Sequence, residues 1–380
     1  MTELAERLKR RIAADGPMTL AQYMAEVLAA PGRGYYAGER DPFGDAGDFV
    51  TAPEISQMVG ELLGLWCADA WQRLLGSPAT VRLVELGPGR GTLMADALRA
   101  ARMMPGFREA LDVHLVEISP GLRERQHAAL ADTGVPLTWH RELATVPDGP
   151  VLVLANEFFD ALPVHHLERT QDGWCERLVM HDAERDTLAL ARGAPTAKAA
   201  SLVPPELADA AVGSVVEVAP AALALATELG QRIARDGGAA LVVDFGPETV
   251  RPGASLQAVR RHQRAAILDA PGETDLTAHV PFPLLARAAS EAGARPHGPV
   301  AQGTFLDALG IETRARTLQA NASPQQARQI AGALHRLTAG DQMGTLFKAL
   351  ALCAPGAPQP AGMPEGAPGH APAPETGDDG

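Results

Sequence analysis

An amide and two acids close an apolar run where a buried strand ordinarily stops at a simple turn. The run is Val151-Leu152-Val153-Leu154-Ala155, and Asn156, Glu157, Phe158, Phe159 and Asp160 follow it. Carboxylates at a strand end can hold a cation or take up a proton. The amide of Asn156 can orient a ligand, and the Phe158–Phe159 pair can wall a pocket against water. The plainer alternative is that Asp160 caps the next turn and Phe159 belongs to the core.

A second constellation lies upstream, in "VRLVELGPGRGTL". Gly87, Pro88, Gly89 and Gly91 form a tight turn between a strand and a helix. Such a turn lets a ligand approach the backbone and aims helix N–H groups at it. The dinucleotide fingerprint is G-x-G-x-x-G. Here the third glycine comes one position early and Thr92 takes its place. With Glu85 two residues before Gly87 the pattern is E-x-G-x-G-x-G, the form seen in class I S-adenosylmethionine (SAM) methyltransferases. That resemblance implies that Glu85 helps hold the amino acid end of SAM. Glu117 ends the next strand and is placed to accept the ribose hydroxyls. Ligands of open α/β sheets bind outside the carboxyl ends of the strands, where all three features fall.

The elements that must position these residues can be read from periodicity. Residues 2–14 and 19–29 have helical spacing, the second with a Thr19/Gln22 capping box. Residues 30–54 are dense in Gly and Pro, and 53–75 are helical. From 81 on, strands (81–86, 112–118, 135–140, 150–155, 238–245) alternate with helices (92–104, 120–131, 221–236). Several strands are apolar throughout, which predicts a parallel sheet with helices on both faces, an α/β class I methyltransferase (Rossmann-like) fold. The pattern breaks at about 163–215, where a hairpin turns at Asp172-Gly173, and again at about 247–280. Both read as insertions. The expected domains are an N-terminal helical and loop cap (1–75), a methyltransferase domain (76–353) and a disordered Pro/Gly/Ala-rich tail (354–380); deletion of 355–380 is expected to leave activity intact. Late elements are helices at 281–293, 304–309 and 324–338 and a strand at 344–353.

Composition narrows the function. A net charge of −13 argues against a nucleic-acid binder or an anionic-membrane binder. Cys67, Cys175 and Cys353 form no C-x-x-C pair, so no disulfide framework and no metal site is implied. No segment approaches the roughly 20 apolar residues of a membrane span, and the amphipathic start lacks a secretory h-region. The expected localisation is cytoplasmic. "DFG" at 244–246 invites comparison with kinases, but the upstream catalytic loop and lysine strand are missing.

Over residues 32–350 the chain resembles the MidA-like family of class I SAM-dependent protein arginine methyltransferases, which includes the mitochondrial complex I assembly factor. The matching stretches are "GRGYY", "FGDAGDFVTAPEISQMVGELLG", "VELGPGRGTLMADALR", "NEFFDALPV", "GETDLTAHVPF", "TFLDALGI" and "MGTLFKAL". Phe245 departs from the Asp-Tyr-Gly expected there. The resemblance implies SAM as cofactor and arginine as acceptor, in a protein substrate that is the quinone-site subunit of a respiratory NADH dehydrogenase. A second copy of the chain is one further expected partner.

Guanidinium is cationic at pH 7 and becomes nucleophilic only when its charge is localised and a proton is taken up. Glu157 and Asp160 are the candidates for that task, with Asn156 orienting SAM or the acceptor. Asp48, Phe49, Thr51, Glu54 and Gln57 are candidates for a lid, although Thr51 and Glu54 could equally form a capping box. Asp275 and His279 are candidates on the substrate side. His279 and His262 are each as well explained by structural roles. Two rival functions remain at this point: an assembly chaperone with little catalysis, and a nicotinamide-dependent oxidoreductase.

Overall fold

In the computed structural model, which describes residues 2–38 and 50–364, seven strands form the central sheet. They are β1 (Val81–Leu86), β2 (Leu111–Val116), β3 (Leu137–His140), β4 (Val151–Asn156), β5 (Gly238–Phe245), β6 (Arg295–Ala301) and β7 (Phe347–Cys353). Their spatial order is β3-β2-β1-β4-β5-β7-β6. The pairings from β3 across to β5 are parallel. β7 runs antiparallel between β5 and β6, so the expected parallel sheet is mixed at this edge. The reason lies in the register: Phe347 pairs with Phe245, the last residue of β5. The chain therefore re-enters at the carboxyl end of the sheet with no crossover to reverse it. Residues 344–346, expected to open this strand, belong to the helical turn Met343–Leu346 instead.

Among the described residues, ten helices of seven residues or more flank the sheet: α1 (Glu3–Asp15), α2 (Leu20–Ala29), α3 (Gln57–Arg73), α4 (Thr92–Ala101), α5 (Pro120–Leu130), α6 (Pro220–Asp236), α7 (Phe282–Glu291), α8 (Gln302–Ala308), α9 (Ile311–Ala320) and α10 (Pro324–Thr338). Strand alternation assigns each side chain its layer. Val151, Val153 and Ala155 of β4 pack with α1, α2, α6 and α7. Leu152 and Leu154 pack with α3, α4 and α8–α10. The capping box expected at Thr19/Gln22 opens α2, and a second one, Ser323/Gln326, opens α10.

The expected boundary at 75/76 cuts through a core layer, because α3 belongs to the sheet's helical cover. A Cβ on Gly60 would lie 2.6 Å from Asp96 Cβ, and one on Gly64 would lie 2.6 Å from Ala97 Cα. The two glycines thus let α3 approach the Asp96 side chain and the Ala97 backbone of α4 closely. The 163–215 segment forms an antiparallel sheet (His165–Thr170, Gly173–Asp182, Thr187–Pro195, Val215–Val218) joined by Met18–Thr19. The 247–280 segment contributes a small three-stranded sheet (Gln257–Arg260, Gln263–Ala265, Asp275–Thr277).

The expected disordered tail is corrected over its first part. Residues 354–364 return across α3: Trp66 Nε1 donates to the Ala361 carbonyl at 3.1 Å, and Ala357 and Met363 are buried in the same cluster. The remainder of that expectation lies outside the described residues. A chain truncated after Cys353 is expected to be about 2–4 kcal/mol less stable than one truncated after Pro364, the scale of losing one buried methionine and its contacts. Thermal unfolding of the two truncated chains checks this, and equal melting temperatures contradict it.

Candidate active site

The carboxyl ends of β1, β2 and β4 open on one cavity of about 250 Å³. Its floor is the glycine loop. Gly87, Gly89 and Gly91 have φ of +63°, +56° and +85°, where a Cβ is disfavoured. At Gly87 there is no room either, since a Cβ would lie 2.6 Å from the Phe158 ring. Gln126, fully buried on α5, braces the loop. Its Nε2 donates to the Gly89 carbonyl (2.8 Å) and to Glu117 Oε2 (3.3 Å), and its Oε1 accepts from Trp139 Nε1 (2.9 Å).

Two acids face this floor, with Pro88 lining the wall beside them. Glu85 is buried at the end of β1 and its Oε2 has no hydrogen-bond partner. Burial, reinforced by the nearby charge of Glu117, pushes its pKa up to about 8. Glu117 follows β2, and its Oε1 accepts from Ser119 N at 2.8 Å. Burial raises its pKa as well, against the pull of the Ser119 and Gln126 donors. Asn156 Oδ1 is a second buried polar atom without a partner. Buried orphans of this kind are costly unless a ligand satisfies them. An ammonium group at Glu85 and hydroxyls at Glu117 are what these oxygens would accept, so the residues fit the amino acid and ribose ends of SAM.

The end of β4 is shaped by a residue that sequence reasoning passed over as part of "DFG". Asp244 is completely buried at the end of β5. Its Oδ2 accepts from the N–H groups of Phe158 (3.1 Å), Phe159 (3.0 Å) and Asp160 (3.2 Å), and its Oδ1 from Phe245 N (2.8 Å). Three consecutive amides gathered on one oxygen turn the chain sharply, and Glu157 takes φ +50°. That is uncommon for a residue with a side chain and marks candidate functional sites. The Glu157 N–H still donates to the Val243 carbonyl (2.9 Å), while its side chain enters the cavity. Its Oε1 accepts from Ala52 N (2.7 Å) and Asn156 Nδ2 (3.1 Å). Burial pushes the Glu157 pKa up to about 7 in spite of those two donors.

Asp160 and Asp275 are buried but do not line the cavity. Asp275 accepts from the Tyr36 hydroxyl at 3.1 Å. Burial and the charges of Asp244, Asp275 and Glu157 hold Asp160 well above the carboxylate range. Asp244 is pushed up to about 8, chiefly by burial. Asp160 is thus no plain turn cap; it is one member of a close group of buried acids behind Glu157.

The other candidates divide. Thr51 and Glu54 line the cavity, but the capping box considered for them does not form. Thr51 makes no side-chain cap to the short helix Ala52–Ile55. Glu54 instead accepts from Thr92 Oγ1 and from Arg90 Nη1 (3.2 Å). Gln57 opens α3 and donates to Glu61, outside the cavity. Asp48 and Phe49 lie outside the described residues. His279 is not brought to the site. It lines a separate cavity of about 260 Å³ with Glu217, Arg251 and Ser255, its ring edge-on to Phe245, and burial lowers its pKa. His262 is exposed at a hairpin turn. Among the described residues no group of His, Cys, Asp and Glu is arranged to hold a metal ion, and no helix is long and apolar enough to cross a membrane. Sequence reasoning also missed Tyr36, quoted only within "GRGYY", and the apolar wall of Ala25, Leu28 and Ala29 on α2 that closes the cavity opposite the glycine loop.

Strand order, glycine loop and the acid after β2 together define a class I SAM-dependent methyltransferase. A family model described as "Putative S-adenosyl-L-methionine-dependent methyltransferase" matches residues 62–300, and the chain belongs to that family. It is 39% identical over 375 residues to the mouse mitochondrial protein arginine methyltransferase NDUFAF7, covering 93% of this chain and 84% of that one. It is 38% identical over 378 residues to the human protein of the same name, covering 93% and 83%. It superposes with a TM-score of 0.80 on a Burkholderia thailandensis protein crystallised with S-adenosyl-homocysteine, at 31% identity, over 94% of this chain and 93% of that one. These relatives retire the nicotinamide alternative. They also overturn the expected cytoplasmic localisation, because the NDUFAF7 proteins are named as mitochondrial. Substituting Gly87→Ala, which adds a methyl against Phe158, is expected to lower SAM affinity at least tenfold by calorimetry. Wild-type affinity would contradict the tight-floor geometry.

Proposed function

We propose that this methyltransferase transfers methyl groups to arginine in a protein substrate, and that the substrate is the quinone-site subunit of a respiratory NADH dehydrogenase, whose assembly it supports. The names of the mouse and human relatives support arginine as the acceptor. The observation that carries the reading is Glu157: an acid held in a left-handed turn at the mouth of the SAM cavity, one oxygen bound by Ala52 and Asn156 and the other carrying no hydrogen bond among the described residues.

SAM, when bound, supplies an electrophilic methyl group. Glu85, Glu117, Asn156 and the backbone of Gly87, Pro88, Gly89 and Gly91 would hold it. The chain's own work is to present a nucleophile. Glu157 Oε2 is free to accept from a guanidinium N–H and draw the positive charge toward itself, leaving another nitrogen with more lone-pair character. Ala25, Leu28, Ala29 and Leu162 offer an apolar wall to the unbranched methylene stem that arginine carries. Phe158 and Pro53 exclude water and keep these interactions strong.

Glu157→Gln retains size and a carbonyl acceptor but not the charge. It is expected to bind SAM normally and to lose about 10²–10⁴-fold in transfer, measured with labelled SAM and a lysate of the null strain. Wild-type turnover would remove Glu157 from the mechanism. If the variant also restored complex assembly in that strain, the chaperone reading would take precedence.

Only ionised Glu157 can pair with guanidinium. A free-enzyme pKa of about 7 means that kcat/KM should rise with pH through about 7 and flatten above it. A profile that is flat from pH 6 to 8 would contradict this assignment.

A further inference from the structure

We propose that Glu54 is a positioning residue, and that through it the glycine loop holds the acceptor carboxylate in place. This inference rests on the reading of Glu157 given above. The strap concerned, Thr51–Ser56, touches both halves of the cavity. On one side the Glu54 carboxylate accepts from Thr92 Oγ1, on the first residue of α4, and from Arg90 Nη1 within the glycine loop. On the other side the N–H of Ala52, two residues earlier, donates to Glu157 Oε1 at 2.7 Å.

The strap is stiff enough to carry this connection. Glu54 N and Ile55 N both donate to the Thr51 carbonyl at 3.0 Å, and Ala52 and Pro53 are buried. The first N–H groups of a helix have no partner within it. Here one of them is spent on Glu157, because the seat of Glu54 on Arg90 and Thr92 aims it there. An N–H bonded to a carboxylate favours its ionised form. If the strap lifts from the glycine loop, Ala52 moves off Glu157, and the acid becomes both less fixed and harder to ionise. Cofactor floor and acceptor carboxylate are therefore parts of one mechanical unit.

Two substitutions break the connection at different points. Glu54→Ala removes the seat. Ala52→Pro removes the donor at a first helical position, where proline is tolerated; Thr51 already has the extended backbone (φ −75°, ψ 161°) that a following proline requires. The experiment measures kcat/KM against pH for both variants and the wild type, alongside SAM affinity by calorimetry. The inference expects both variants to move the midpoint to higher pH by about one unit, the scale of one hydrogen bond to a charged group. Ala52→Pro should do so with SAM affinity close to wild type. Lower activity with the wild-type midpoint in both variants would mean a merely structural strap and would overturn the proposal. A wild-type profile without a limb near neutral pH would overturn the reading of Glu157, and this inference with it.

Discussion

Four backbone N–H groups converge on the carboxylate of Asp244, and the rest of the site depends on that convergence. A strand as apolar as β4 would otherwise run on or end in a relaxed turn. Instead Phe158, Phe159 and Asp160 are drawn under the end of β5, and Glu157 is left in a conformation it would not choose alone. The cost is a fully buried acid whose pKa burial pushes up to about 8. Its return is that Glu157 is presented from a tight turn bonded to β5, which is what positioning in catalysis requires. The Phe158 ring is set by the same turn. It closes over Gly87, so the acceptor side and the cofactor side share a wall.

The electrostatics follow one theme. Glu85, Glu117, Glu157, Asp160 and Asp244 all have pKa values raised mainly by burial. Acids held out of water in this way resist ionisation until a cation arrives to offset the charge. SAM is a cation at its sulfur and its amine, and guanidinium is a cation at neutral pH. On the proposed reading Glu85 and Glu117 would serve SAM and Glu157 the acceptor. Asp160 and Asp275 lie behind, outside the lining of the cavity.

Much of this was legible in the sequence, and the reasons for the rest are specific. Apolar runs marked the strands up to β5 along the chain, and their parallel pairing, because parallel strands buried on both faces have a strong signature. The reversal of β7 was not legible, because an apolar strand reads the same in either direction. Gly60 and Gly64 carried the information that α3 belongs to the core, but only the position of α4 gives that spacing its meaning. The tail after Cys353 has a disordered composition, yet it contributes Ala357 and Met363 to a groove that no local pattern reveals. At the site, Glu85, Glu117, Asn156 and Glu157 stood out because polar residues at the ends of apolar strands are conspicuous. Asp244 occupies an equally conspicuous place, but its work is done through backbone amides of another segment, 84–86 positions away. Thr51 and Glu54 looked like a local capping box; the actual partners of Glu54 are Arg90 and Thr92, across the cavity.

The central claim is that the acceptor atom is a guanidinium nitrogen. The most direct test is to label the substrate with methyl-tritiated SAM and this enzyme, hydrolyse the labelled protein to amino acids, and chromatograph the products. Label in Nω-methylated arginine is the result that the Glu157 geometry predicts. Label in methylated lysine, glutamine or histidine, with none in arginine, would contradict it.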